Sequence, residues 1–324
     1  MKITTCIPKQ INDFDLKIKW LEDTLKRTDT NIFITPQEFF GGDYQMPNKR
    51  YVTKDEFLPV LEKLSSETSK AIIIGVVEKD GNKNYQRLWF IDGTFKGEIT
   101  KFALPNYTHS GTGSYDLTPE TDWNKRLLTF EIKGIHIAGF FCWEVFSDIL
   151  FAGLGLLEPD LVISSVKFGI AGYPKLTKDK PKKIESIQYC GGDIWYERLV
   201  MASKFELKCP IACSTNSWNE KAKMRPLVGM IYPYKNMEEV KVTDNDLKGD
   251  VIITQEMNFQ EVRGFREHKF SFLDRTGHFP DWTMSEYTML FKIHRLEQRH
   301  FGKSRHELID EKFKKLHFNQ KKKK

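Results

Sequence analysis

Cys142, with Glu38, Lys101 and Glu120 upstream of it, is the set of residues in this chain whose types could do covalent chemistry. A cysteine attacks as the thiolate, and a solvated thiol is mostly protonated at neutral pH. A neighbouring ammonium favours the thiolate, and a neighbouring carboxylate can take the proton; both effects depend on a dry site. Thiol, base and cation together are the parts of nucleophilic catalysis. Taken singly, each has a plainer reading: a buried cysteine behaves as a small hydrophobe, and Glu38, Lys101 and Glu120 are ordinary surface or loop charges. Their positions at the ends of apolar extended segments, or in the long loop between two of them, set them apart.

The elements that must hold them follow from the apolar pattern. Gly134-Ile-His-Ile-Ala-Gly-Phe-Phe-Cys142-Trp-Glu144 reads as a buried strand that ends on the cysteine and then turns. Gly139 within it allows another element to approach closely. Asn31 to Thr35 is a strand leading into Glu38, and the strand from Tyr85 to Ile91 is followed by an extended piece ending near Lys101. Lys2 to Ile7, Ala71 to Val77, Asp160 to Val166, Pro210 to Asn216, Leu227 to Tyr234 and Asp250 to Glu256 supply further strands. Helices are predicted after Asp13, over Asp55 to Thr68, over Asp148 to Leu157, and from Asp193 to Leu207. Arg126 to Glu131 and Ile135 to Cys142 are expected to pair as a hairpin about Lys133-Gly134. Residues 105–124 form a long turn-rich loop and 169–192 an irregular basic insertion; structureless loops of that length are usually functional.

Composition excludes several classes. The 324 residues are 40% hydrophobic and 29% charged, as in a globular protein with a full core. No apolar run is long enough to cross a bilayer, and the first residues lack the apolar core of a signal peptide. A cytoplasmic, reducing location is therefore expected, with Cys6, Cys142, Cys190, Cys209 and Cys213 as thiols. The net charge of +6 comes in part from a Lys321–Lys324 tail and a basic loop at 175–183. Neither accompanies a nucleic-acid-reading motif, so solvated segments are expected, and no nucleic acid or membrane partner. Cys209 and Cys213 have Pro210 between them and no nearby histidine, so no metal or other cofactor is expected.

In order along the chain, Pro36-Gln37-Glu38-Phe39-Phe40-Gly41-Gly42, Lys101-Phe-Ala-Leu-Pro105, Glu120 and Gly139-Phe-Phe-Cys142-Trp-Glu144 resemble the Glu-Lys-Glu-Cys motifs of the nitrilase superfamily of carbon–nitrogen hydrolases. The resemblance implies an α/β fold, a four-layer α-β-β-α sandwich, over residues 1–275, with 276–324 as a C-terminal extension. It implies Glu38 as general base, Lys101 with the Trp143 N–H as stabilisers of the tetrahedral anion, and Cys142 as nucleophile. Glu120 would orient Lys101 and substrate; Trp143, Phe39 and His109 are candidate pocket residues. Two departures stand out. Gln37 separates Pro36 from Glu38, and Val145-Phe146-Ser147-Asp148 lacks the arginine that many members carry after the cysteine.

The expected activity is hydrolysis of a non-peptide C–N bond in a small amide or carbamoyl substrate through a Cys142 thioester, releasing ammonia. A nitrilase is one alternative and a non-catalytic protein of the same fold another. The resemblance also implies a homodimer or higher homo-oligomer.

Overall fold

The structure, a computed structural model, describes residues 1–8, 11, 13–42, 51–102, 117–166, 198–215, 227–233, 240–242 and 250–274. His109, Cys190, the basic loop at 175–183 and the lysine tail lie outside them. The chain divides into two compact units, Met1–Glu267 and His268–Lys324; the description below concerns the first, together with the end of the helix that runs on from it to Asp274.

Among the described residues, two six-stranded sheets carry the fold. The first contains β1 (Lys2–Ile7), β2 (Ile32–Ile34), β3 (Ala71–Asp80), β4 (Lys83–Asp92), β5 (Thr94–Thr100) and, at the edge beside β1, β12 (Val251–Glu256). The second contains β6 (Phe130–Ile132), β7 (Ile135–Phe141), β8 (Leu161–Val166), β9 (Ile211–Thr215), β10 (Leu227–Ile231) and β11 (Val240–Val242), in that order across the sheet. Each has a parallel centre: β1, β2 and β3 in one, and β7, β8 and β9 in the other. These strands are almost wholly buried and read as continuous apolar runs because both faces are covered.

One face of each sheet packs on the other. Ile34, Ile73, Leu88, Phe90 and Ile99 share a core with Ile137, Phe141, Leu161 and Ile163. A Cβ at Gly139 would lie 3.0 Å from Leu88 Cδ2 and 3.1 Å from Ile99 Cδ1, so the glycine lets β7 press directly onto β4 and β5. At the other side of the interface, Ser214 Oγ on β9 lies 2.7 Å from the Cys6 carbonyl oxygen on β1.

Helices cover the outer faces. α1 (Phe14–Arg27) starts where Asp13 accepts the Leu16 N–H at 2.9 Å, which satisfies one of the N–H groups a helix start leaves open. With α2 (Lys54–Thr68), it buries Trp20, Leu21, Leu25, Phe57 and Leu61 against Phe33, Ile72, Ile74 and Trp89 of the first sheet. α4 (Asp148–Leu156) is capped by Ser147 and packs Phe151 edge-on against Phe140 of β7. The helical segment 198–207 is tied to α4 by Arg198, which pairs with Glu206 and Asp148. The result is the four-layer α-β-β-α sandwich.

Two local expectations change. Arg126 does not begin a strand; it ends a helical turn, α3 (Trp123–Arg126), capped by Asp122, and β6 is correspondingly short. The apolar pattern also fails to announce the last described helix, α5 (Phe259–Asp274). Its buried stripe is Phe259, Val262 and Arg266, so a guanidinium stands where a periodicity search looks for an aliphatic side chain.

Candidate active site

Glu38, Lys101 and Cys142 each lie at the C-terminal end of a strand or just beyond it. After β2 the chain continues along β3: Thr35 N donates to Ile73 O, and Phe40 N to Gly75 O at 3.2 Å. Between those two contacts, Pro36 and Gln37 cross directly over Gly75. A Cβ there would sit 2.3 Å from Pro36 O and 2.8 Å from Gln37 Cα, so only glycine admits the crossing. The crossing lifts Glu38 out of the strand with φ +53°, in the left-handed region. Its carboxylate is 6% exposed and accepts a hydrogen bond from Gln86 Nε2.

Gln86 also fixes the lysine. Its carbonyl oxygen accepts the Lys101 N–H at 2.9 Å, one step beyond the last β4–β5 pair, Arg87 and Thr100. Lys101 is 1% exposed, and its ammonium donates to Gln37 Oε1 at 3.5 Å. Two glutamines thus link the Glu38 and Lys101 segments. The sequence marks neither for a role at the site, because a neutral amide carries no chemical signature; Gln37 stands out there only as an interruption between proline and glutamate.

Cys142 leaves β7 with φ +36° and opens a 3₁₀ turn over Cys142–Phe146. Six non-glycine residues have positive φ among those described. Four of them, Ser69, Lys133, Glu158 and Lys208, follow helices or turn the β6–β7 hairpin, where such backbone is ordinary. Glu38 and Cys142 have neither excuse, and backbone strain of this kind costs on the order of 1–3 kcal/mol and collects at functional sites. The thiol is 7% exposed.

The cysteine turn is fastened by the side chain of Glu144, fully buried at 0% exposure. Glu144 Oε2 accepts the Phe141 N–H at 2.9 Å, and Oε1 accepts the Phe102 N–H at 2.7 Å. A single carboxylate therefore grips the chain one residue before Cys142 and one residue after Lys101. Its charge is matched by Arg126, whose Nη2 bonds Oε2 and whose Nη1 donates to Gly139 O at 3.0 Å. The sequence gives Glu144 as the acid after the cysteine but assigns it no partner, and Arg126 passes there for a strand residue.

Glu120 meets Lys101 through backbone, its N–H donating to Lys101 O at 3.0 Å. Its carboxylate accepts the N–H groups of Thr121 and Asp122, and no ion pair joins it to Lys101 among the described residues. Phe39 lies in the helix-side core, 5.5 Å from the Trp20 ring and 4.9 Å from Phe40, with the Lys17 ammonium 4.6 Å from its centroid. It is a core residue, buried on the helix side of the sheet next to the left-handed turn at Glu38. Only the backbone of Trp143 is described, within the 3₁₀ turn.

No family model matches the sequence, and no curated protein does. Solved structures do match. A carbon–nitrogen hydrolase from Helicobacter pylori superposes with TM-score 0.63 at 13% identity, covering 87% of this chain and 97% of that one. The Caenorhabditis elegans NitFhit protein gives 0.61 at 13% identity over 84% of this chain, which spans only 64% of NitFhit. An amidase from Nesterenkonia, a glutamate-to-glutamine variant with the acetamide moiety of fluoroacetamide on its active-site cysteine, gives 0.58 at 11% identity, covering 84% and 95%. The chain has the fold of the nitrilase, or carbon–nitrogen hydrolase, superfamily.

Proposed function

We propose that this chain, built on the carbon–nitrogen hydrolase fold, is a thiol hydrolase that cleaves a small amide or carbamoyl amide through a Cys142 thioester and releases ammonia. The observation that carries the reading is the pair of hydrogen-bonded links, Gln86 between Glu38 and Lys101, and Glu144 between Lys101 and Cys142. The Nesterenkonia amidase, with its covalent adduct on cysteine, supports the same chemistry on the same fold.

In this mechanism Glu38 takes the thiol proton as sulfur attacks the carbonyl carbon. The tetrahedral oxyanion is stabilised by the Lys101 ammonium and the Trp143 N–H, which lies in the first turn of the 3₁₀ helix. Collapse breaks the C–N bond; the leaving nitrogen takes the proton from Glu38 and departs as ammonia. Glu38 then takes a proton from water, whose oxygen attacks the thioester. The second collapse expels the thiolate, which regains its proton as the acid leaves. Glu120, through its backbone contact with Lys101, holds the base of the lysine. The reading includes a cytoplasmic homodimer or larger homo-oligomer; a monomer in light scattering at micromolar concentration excludes that part.

Ammonia release from a panel of matched amides, carbamoyl amides and nitriles tests the proposal. Amides should turn over, a Cys142 acyl adduct should appear by intact mass, and Cys142→Ala should remove both while remaining folded. Faster turnover of the nitriles selects a nitrilase instead. Undiminished ammonia release by the alanine variant refutes the thioester route, and no adduct with any substrate or trapping reagent selects the non-catalytic reading.

A further inference from the structure

We propose that Glu144, with Arg126 as its buried counter-charge, is a positioning residue that keeps the Lys101 and Cys142 segments of the site in register. The inference rests on the hydrolase reading for what Lys101 and Cys142 do, but its geometry stands apart from that reading. A buried ion pair that served only to hold the core would have no reason to address both flanks of the site. Here both carboxylate oxygens are committed to backbone N–H groups, one beside each site residue. Hydrogen bonds to an ionised acceptor are shorter and about twice as strong as neutral ones, so a carboxylate fixes these two segments better than an amide could.

Arg126 makes that charge tolerable. The pair is 1% and 0% exposed, and a lone carboxylate at such depth would be driven to its neutral form. The guanidinium also grips Gly139 O on the nucleophile strand and lies 5.7 Å from the centre of the Phe102 ring, the residue that follows Lys101. It therefore touches both sides of the junction that Glu144 closes. The run Val145-Phe146-Ser147-Asp148 offers no arginine of its own. Arg126, from α3, brings the cation in from another element.

The test separates positioning from mere stability by reading Cys142 chemistry directly. Glu144→Gln keeps the shape and one acceptor but removes the charge. We expect kcat to fall about 10²-fold with KM little changed, as a small misplacement of reacting groups does. We also expect the pH midpoint of Cys142 alkylation by iodoacetamide to rise by about one unit, because a loosened Lys101 stabilises the thiolate less. Lys101→Met should raise the same midpoint, and adding Glu144→Gln to it should raise it no further. A folded Glu144→Gln protein whose alkylation midpoint does not move overturns the inference, even if its kcat falls. If the wild type hydrolyses no amide but the midpoint still shifts, the hydrolase reading fails and the positioning role survives. Should Glu144→Gln not fold, Glu144→Gln with Arg126→Met removes both charges and leaves none unpaired. The same midpoint shift is expected of it. Failure of both variants to fold makes the pair a stability element and overturns the inference.

Discussion

The parallel pair β7–β8 has an arginine–carboxylate bridge at each end, and the two are built alike. At the C-terminal end Glu144 accepts a β7 N–H, from Phe141, and pairs with Arg126. At the N-terminal end Asp160 accepts a β7 N–H, from His136 at 3.0 Å, and pairs with Arg263 through two bonds of 2.8 and 2.9 Å. The solvent differs. Arg126 is 1% exposed, whereas Arg263 is 49% exposed and borders an open cleft of about 570 Å³ with His136 and Arg266. The backbone differs too: left-handed at Cys142, regular at His136. One bridge is sealed and orders the proposed site; the other, with its carboxylate buried and its arginine exposed, closes α5 onto the sheet. Both carboxylates are buried, and the pairs differ because water reaches the arginine of only one of them.

Thiols at the two ends give the largest expected contrast. Cys209 precedes β9 at the N-terminal end, and burial pushes its thiol up to about 12, opposed by the nearby charge of Arg266. From an ordinary 9.0, that rise leaves about 10³-fold less thiolate at neutral pH. Native protein treated with iodoacetamide at pH 7.5 should therefore be labelled at Cys142 while the Cys209 peptide stays unmodified. Equal labelling of the two peptides in folded protein would erase the difference between the ends.

Removing the arginine should separate the bridges next. Arg126→Met strands a fully buried carboxylate, which costs about 3–5 kcal/mol of stability. Arg263→Met leaves Asp160, itself only 3% exposed, with its His136 N–H bond and the open cleft where the guanidinium lay, and a smaller loss of about 1–3 kcal/mol is expected. Urea unfolding of the two variants beside wild type measures both losses. A larger loss at Arg263 would mean that exposure does not rank these pairs.

How much of this was legible in the sequence follows from the same physics. Strands buried on both faces, such as Ala71 to Val77, leave continuous apolar runs. Glu38 and Cys142 stand out because each follows an apolar segment; Lys101 follows the mostly polar strand Thr94–Thr100 and is marked only by its place in the order of motifs. What fastens them does not stand out. Gln86 sits in a strand as a neutral amide. Arg126 and Arg266 occupy core positions where hydropathy counts them as surface residues, so the sequence pattern runs the last residue of α3 into a strand and hides α5. Burial of a charge depends on a partner brought in from far along the chain: Glu144 for Arg126, and the carbonyl oxygens of Glu158 and Pro159 for Arg266. Local pattern contains no record of such partners.

The smallest expected effect is the pH dependence of the bridge with the exposed arginine. Burial alone would push the Asp160 carboxyl up, but the hydrogen bonds from Arg263 and the His136 N–H, with the charge of Arg263, outweigh it and hold the group below the usual carboxylate range. A group depressed in the folded protein contributes stability above its unfolded pKa, about 3.9 for aspartate, and loses it as pH falls through the folded value. The Arg263 share of that contribution should therefore be present in full at pH 7 and shrink below about pH 4. In practice the urea midpoints of wild type and Arg263→Met should differ at pH 7 and converge on acidification, most of the change falling in the carboxylate range. A gap between the two midpoints that stays constant down to pH 3 would mean that Arg263 holds α5 by packing alone, and that the ionic likeness between the two ends of β7–β8 has no energetic content at the exposed one.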